Sequence, residues 1–449
     1  MNHDSKYLGE QKISRLLLEL SLPAALAMMI NGLYNIVDTV FIGHGVGSDA
    51  IGGLAVAFPV QLLMMGFAQL VGIGSASIVS RSLGAKKVEE AEKVAGNGFF
   101  TVVILSLLVS FLSLIFVDEL LYVFGATPEL LSYARDYMQI ILIGNVFFSF
   151  SMMSNNLIRA EGKAKIAMVS MLIGAILNII LDPIFIYPLD LGIKGAALAT
   201  IISQFASFIF VVTYFKSGRS SLKIQIHHLK PKWEIITKIF SIGFSAFARS
   251  STNSLFSIVV NNSLRFYGGS TAITIFGTIN RVTSFLFMPI IGIGQGMQPI
   301  LGYNYGAKKM DRAKKVIRLS LIVASIIAIT GWVISETIPG LIMSIFTNDK
   351  ELIRDGAKVF RFIILAMPLL GLQIIGSTLF QAIGKAIPAL ILSLLRQFIL
   401  LIPLILILPN IYNLNLLGVW IAFPIADLLA GIIIYIFYKK QMAKFNVLT

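Results

Sequence analysis

The sequence predicts an all-α polytopic membrane protein, with twelve transmembrane helices in two parallel six-helix repeats and a V-shaped, two-lobe transporter architecture. Three observations predict it. Of 449 residues, 57% are hydrophobic and 13% charged, against about 25% charged in soluble domains. The lysines and arginines gather in alternate loops. A set of short motifs recurs at one fixed offset.

The composition excludes several classes. So much apolar surface does not fit inside one soluble core, and disorder needs low hydrophobicity. The chain has no cysteine, which excludes a disulfide scaffold, a thiolate-held metal and a thiol nucleophile.

A membrane-crossing helix needs about 20 apolar residues. Runs of that kind lie near 16–42, 51–80, 94–117, 130–158, 166–187 and 195–215. Six more lie near 236–264, 272–302, 316–338, 356–383, 386–408 and 418–438. The first outlasts a signal peptide's apolar core and lacks a small-residue cleavage site. Following the chain through these spans sorts the cations. Twenty-six fall on one side, including Lys6, Lys86, Lys87, Lys163, Lys308 and Lys309, and only Lys194, Lys350 and Arg354 fall opposite. This bias predicts that the basic side, with both termini, faces the cytoplasm of a bacterial or archaeal cell. The net charge of +14 then records topology. The expected partners are the bilayer and small molecules, not nucleic acid, and a monomer is expected.

Gly84-Ala85-Lys86-Lys87 recurs as Gly306-Ala307-Lys308-Lys309, an offset of 222. The same offset carries Gly72 and Gly74 onto Gly294 and Gly296, and Gly162-Lys163 onto Gly384-Lys385. Fixed-period self-similarity marks a duplication. Six spans per half is an even number, so both halves point the same way, as in transporters whose lobes rock about a central cleft. The expected units are an N-terminal lobe 1–215, a linker 216–235 and a C-terminal lobe 236–449.

The offset also separates scaffold from function, because polar residues within spans that lack a counterpart are not needed by the common fold. Asp38 pairs with Val260, Asn178 with Leu400 and Asp182 with Leu404. Asp38, Asp182 and Thr200 fall at similar depth in spans one, five and six. Asn178 and Asp182, four apart, share a helix face. These oxygens suit a small hard cation such as Na⁺. Two buried carboxyl groups equally suit a shared proton.

In the second lobe Arg249, Arg281, Arg361 and Arg396 fall inside predicted spans with one interior acid, Asp427. Two readings follow: a cationic cleft wall facing an anionic group, or snorkelling and helix tethering, with Asp427 as an ion-pair partner. Met28, in a Met-Met pair, offers an adaptable contact surface. No P-loop, His-Glu-x-x-His or Gly-x-Ser-x-Gly motif is present, so neither ATP use through a P-loop nor these hydrolytic chemistries are expected.

The chain resembles the multidrug and toxic compound extrusion (MATE) family, in its bacterial twelve-span exporter branch. The residues that carry the resemblance are Asn35-Ile36-Val37-Asp38-Thr39-Val40-Phe41-Ile42-Gly43, the twin Gly-Ala-Lys-Lys loops, Asn178 with Asp182-Pro183, and Gly292-Ile293-Gly294-Gln295-Gly296-Met297-Gln298-Pro299. The resemblance implies ion-driven export of amphipathic, often cationic drug-like compounds, with H⁺ or Na⁺ as the only coupling agent and no cofactor. It places ion coupling at Asp38, Asn178, Asp182 and Thr200. It places a helix bend at Pro23, and Tyr34, Tyr137 and Asn155 near the cavity, where Arg281 and Gln295 are further lining candidates. The alternatives are a flippase for lipid-linked precursors or an anionic-metabolite exporter on the same fold, an intramembrane lipid enzyme, or a channel.

Overall fold

The structure is a computed structural model that describes residues 6–344 and 350–447. After a short α1 (Tyr7–Glu10), the first half runs α2 (Ile13–Gly45), α3 (Ser48–Gly84), α4 (Val88–Ile115), α5 (Val117–Val123), α6 (Pro128–Ala160), α7 (Ala164–Ile186) and α8 (Gly192–Lys216). The second half runs α9 (Trp233–Gly306), α10 (Met310–Thr337), α11 (Pro339–Ser344), α12 (Lys350–Ile364), α13 (Leu370–Ala382), α14 (Ala386–Leu394), α15 (Ile402–Ile407) and α16 (Asn415–Val447). No strand occurs among the described residues.

Among the described residues ten helices are long and apolar enough to cross a membrane, and a pair bent by 42°, Lys350–Ile364 with Met367–Ala382, makes an eleventh. The arm 233–268 of α9 completes the twelve. It fails on composition because it carries Arg249, Asn253, Asn261, Asn262 and Arg265.

The repeat is visible in the backbone. The α9 helix breaks at Gly269 (φ 66°, ψ −160°), and α2 and α3 part at Gly47 (φ 119°, ψ 177°), 222 residues earlier. Both turns need the positive φ that glycine reaches without cost. On the basic side Lys86 and Lys308 adopt φ of 62° and 58° in the twin loops, and Gly162 and Gly384 share positive φ.

Three cores show how the lobes meet. One core unites residues of both halves near the basic side, among them Leu17, Val79, Ile239 and Leu301. A second, around Ile42, Ala57, Met138 and Ile193, belongs to the first half. A third, around Val260, Phe276, Phe360 and Val419, belongs to the second. Several glycines follow the same division. A Cβ on Gly74, Gly84, Gly243, Gly292, Gly296 or Gly306 would strike the other lobe's backbone, whereas Gly45, Gly52, Gly53 and Gly268 touch only their own lobe. The lobes are zipped on the basic side and keep separate cores on the far side. Helix backbones reach such closeness only where side chains are absent.

Candidate functional site

Asp38 sits toward the C-terminal end of α2, one of 33 consecutive helical residues that pass through Pro23 without a break. Asn178 and Asp182 lie on α7, which likewise continues through Pro183, and Thr200 lies on α8. The packing of α2 and α8 against α7 brings them together.

The predicted cluster is assembled. Asn178 Nδ2 donates to Asp182 Oδ1 at 2.9 Å and approaches Thr200 Oγ1 at 3.5 Å. Thr200 Oγ1 donates to the Ala196 carbonyl at 3.0 Å. The Asp38 and Asp182 carboxyl groups lie within electrostatic reach of each other. Asp38 is 5% exposed and Asp182 0%. Three acceptors, Asp38 Oδ1, Asn178 Oδ1 and Asp182 Oδ2, are buried without a partner. Buried acceptors left unpaired cost about 1–3 kcal/mol each. Such a set fits a species that supplies positive charge, either a proton shared between carboxyls or an oxygen-seeking cation.

Tyr137 is buried within electrostatic reach of Asp38, Tyr34 and Asp182, and its hydroxyl meets Gln61 Nε2 at 3.2 Å. Gln61 was not expected from the sequence. Asn155 is buried with a free Oδ1 but makes no hydrogen bond to the cluster. Met28 is half-buried on α2. Gln295 lies elsewhere, in a small polar gap with Asn156, Arg159 and Gln298 between the lobes. Arg281 is exposed and is not drawn into the cluster.

The twin positions in the second lobe hold no site. Val260 is fully buried in the third core, with Leu400 and Leu404 packed against it. The four-arginine wall does not form either. Arg396 clamps Asp427 through both carboxylate oxygens, and Gln373 Nε2 donates to the Asp427 carbonyl at 2.9 Å. Arg361 pairs with Glu336 at 3.5 Å. The expectation of a single interior acid therefore needs correction: Glu336, at the end of α10, was not counted. Arg249 is half-buried, with no ion pair among the described residues.

A second polar knot escaped sequence reasoning. Glu161, fully buried just past α6, accepts hydrogen bonds from Tyr214 Oη, Ser220 Oγ and the Ser221 N–H at 3.2, 2.7 and 2.7 Å. Burial pushes its carboxyl up to about 7, against these bonds and the Lys163 charge. The repeat would have flagged it, since its twin is Ile383.

Twelve helical rods in two like halves, zipped at one end, with an acid cluster in one half only, define a two-lobe membrane transporter. The MatE family model matches residues 23–184 and again 244–407, one match in each lobe. The chain belongs to this family, the multidrug and toxic compound extrusion transporters. It is 29% identical over 432 residues to the multidrug export protein MepA of Staphylococcus aureus strain MSSA476, covering 96% of this chain and 95% of that one. It is 28% identical over 431 residues to MepA of Staphylococcus haemolyticus, with the same coverage of 96% and 95%. Among solved structures, a ligand complex of the MATE multidrug transporter DinF-BH matches at 40% identity and a TM-score of 0.91, covering 98% of both chains. A transporter of the MOP superfamily from Pyrococcus furiosus matches at 25% identity and a TM-score of 0.93, covering 99% of both.

Proposed function

We propose that the protein is a secondary antiporter of the plasma membrane that exports amphipathic, cationic drug-like compounds in exchange for H⁺ or Na⁺. The observation that carries the reading is the set of three unpartnered buried oxygens on Asp38, Asn178 and Asp182, present in one lobe and replaced by packed aliphatic residues in the other. The relatives' names support the substrate class: MepA is a multidrug export protein, and DinF-BH is a multidrug transporter.

The basic side with both termini faces the cytoplasm, so the zipped form opens outward. A cation or proton entering from outside binds between Asp38 and Asp182 and draws α2 and α7 together. That rearrangement lowers drug affinity, drug leaves outward, and the loaded carrier turns inward to release the ion. The chain works as a monomer and without cofactor, as a carrier rather than a catalyst. The flippase and anionic-exporter readings rested on a cationic wall, which Arg361 and Arg396 do not supply because each has its own acid.

The test is dye efflux from vesicles holding the purified protein, with the pH and Na⁺ gradients collapsed in turn. One gradient should drive efflux in the wild type, and Asp38→Asn and Asp182→Asn should each abolish the gradient-driven part. Undiminished coupled efflux in both variants would falsify the proposal.

A further inference from the structure

The twin Gly-Ala-Lys-Lys loops each border a groove on the basic side, and the two grooves are built alike. In the first, Ile78, Val94 and Ile235 form an apolar floor under Lys86 and Lys93. At the 222 offset these are Ile300, Val316, Ile13, Lys308 and Lys315, the same residue type at every position. The two differ in part of their rim and in what fills them. In the second groove α1 lies on the floor. Leu8 is fully buried, and its carbonyl accepts from Asn304 Nδ2 at 3.0 Å, one turn past Ile300. Lys309 Nζ donates to the Gly9 carbonyl at 2.9 Å, and Arg312 to those of Leu8 and Gln11 at 3.4 and 2.6 Å. The occupant is thus an apolar anchor with oxygen acceptors turned to a cationic rim. It also bridges the lobes, because Tyr7 Oη donates to the Gly162 carbonyl of the first.

Among the described residues the first groove has no such occupant. The segment that could enter it crosses α4 instead, where Asn97 Nδ2 donates to the His228 carbonyl at 3.1 Å and the Lys232 N–H to Asn97 Oδ1 at 2.6 Å. A cavity of about 660 Å³ remains. Its rim differs at two charged positions: Lys238 stands where the filled groove has the buried Leu16, and Glu90 where it has Arg312. Exposed acids already pair with three of its lysines, Glu89 with Lys93, Glu90 with Lys87 and Glu234 with Lys238, so a phosphate gains Lys86 directly and Lys238 by displacing an exposed carboxylate. Trp233, at the start of the same helix as Ile235 and Lys238, is 75% exposed, and tryptophan favours the headgroup level of a bilayer.

We propose that this groove binds one anionic phospholipid of the leaflet on the basic side, acyl chain on Ile78, Val94 and Ile235 and phosphate at Lys86 and Lys238. An apolar floor under a lysine rim at the ends of the spans matches that amphiphile, and anionic lipids draw lysines to this surface. The floor joins α3 and α4 of one lobe to α9 of the other. A bound lipid therefore ties the lobes on the basic side, as α1 does in the twin groove, and favours the form closed there.

The test is native mass spectrometry of the full-length protein with dioleoyl phosphatidylglycerol, dioleoyl phosphatidylcholine or inorganic phosphate. Binding does not depend on the transported substrate or coupling ion, so this result stands apart from the antiport reading. The wild type should retain one phosphatidylglycerol at least about fivefold over phosphatidylcholine, and excess phosphate should not displace it. Lys86→Gln with Lys93→Gln and Lys238→Gln should lose that preference, and Lys238→Leu alone should weaken it. Lys308→Gln with Lys315→Gln, which removes the two counterpart charges at the filled groove, should keep it. Equal retention of both lipids, displacement by phosphate, or equal loss in both sets of variants would overturn the assignment.

Discussion

Ser80 lies against Gly302, the residue that holds its own place in the second repeat: a Cβ added to Gly302 would overlap the Ser80 hydroxyl. Residues that meet their own counterparts mark the pseudo-two-fold axis. The flanking contacts obey the same symmetry, because a Cβ on Gly84 would strike the Tyr303 carbonyl and one on Gly306 the Arg81 carbonyl, and Arg81 and Tyr303 are themselves counterparts. The axis runs through the seam on the basic side.

A carrier that alternates access must open this seam. In a chain without cysteine, Ser80→Cys with Gly302→Cys should crosslink under mild oxidant and stop dye export, and reductant should restore it. Full export by quantitatively crosslinked protein would show that the seam stays closed throughout the cycle.

Asn178 orients Asp182 through the 2.9 Å bond. Its removal leaves Asp182 Oδ1 unpaired at a cost of about 1–3 kcal/mol. Replacing Asn178 by leucine, the residue at its twin position, should lower ion-driven efflux roughly 5- to 100-fold while substrate binding in the absence of a gradient persists. Equal loss of binding and efflux would assign Asn178 to the drug cavity.

The Arg396–Asp427 clamp is a tether within one lobe. Arg396→Met or Asp427→Leu alone strands a buried charge, at a cost of about 3–5 kcal/mol. The double variant should recover most of that loss in thermal unfolding and should still export. A double variant that unfolds normally but fails to export would give the pair a part in transport.

Glu161 predicts a pH dependence. Its folded value, about 7, lies above the ordinary 4.5, so the folded protein holds this proton more tightly than the unfolded chain. The stabilisation is complete below about 4.5 and is lost as pH rises through about 7. The thermal midpoint of the wild type should therefore gain on that of Glu161→Gln between pH 8 and pH 5. A constant difference, or one of opposite sign, would contradict the burial effect.

How much of this was legible in the sequence depends on the range of each interaction. The duplication, the spans and the side on which each loop lies are one-dimensional. Apolar run length, cation placement and a constant offset state them directly. The acid cluster was also legible, because the repeat exposes Asp38, Asn178 and Asp182 as residues with aliphatic twins, and span direction fixes their depth. The fate of the arginines was not. Arg361 and Glu336 are 25 residues apart and Arg396 and Asp427 are 31 apart, so only the crossing of helices pairs them. Gln61 and Glu161 likewise found partners across 76 and 53 residues.

The sequence by itself determined a membrane-embedded duplication with one asymmetric, acid-bearing lobe, because hydropathy, charge bias and periodicity act along the chain. Only the tertiary structure decided which charges are neutralised, which side is zipped, and why one of two like grooves stands open. Those outcomes depend on side chains from distant helices meeting in a medium where an unpaired charge is costly.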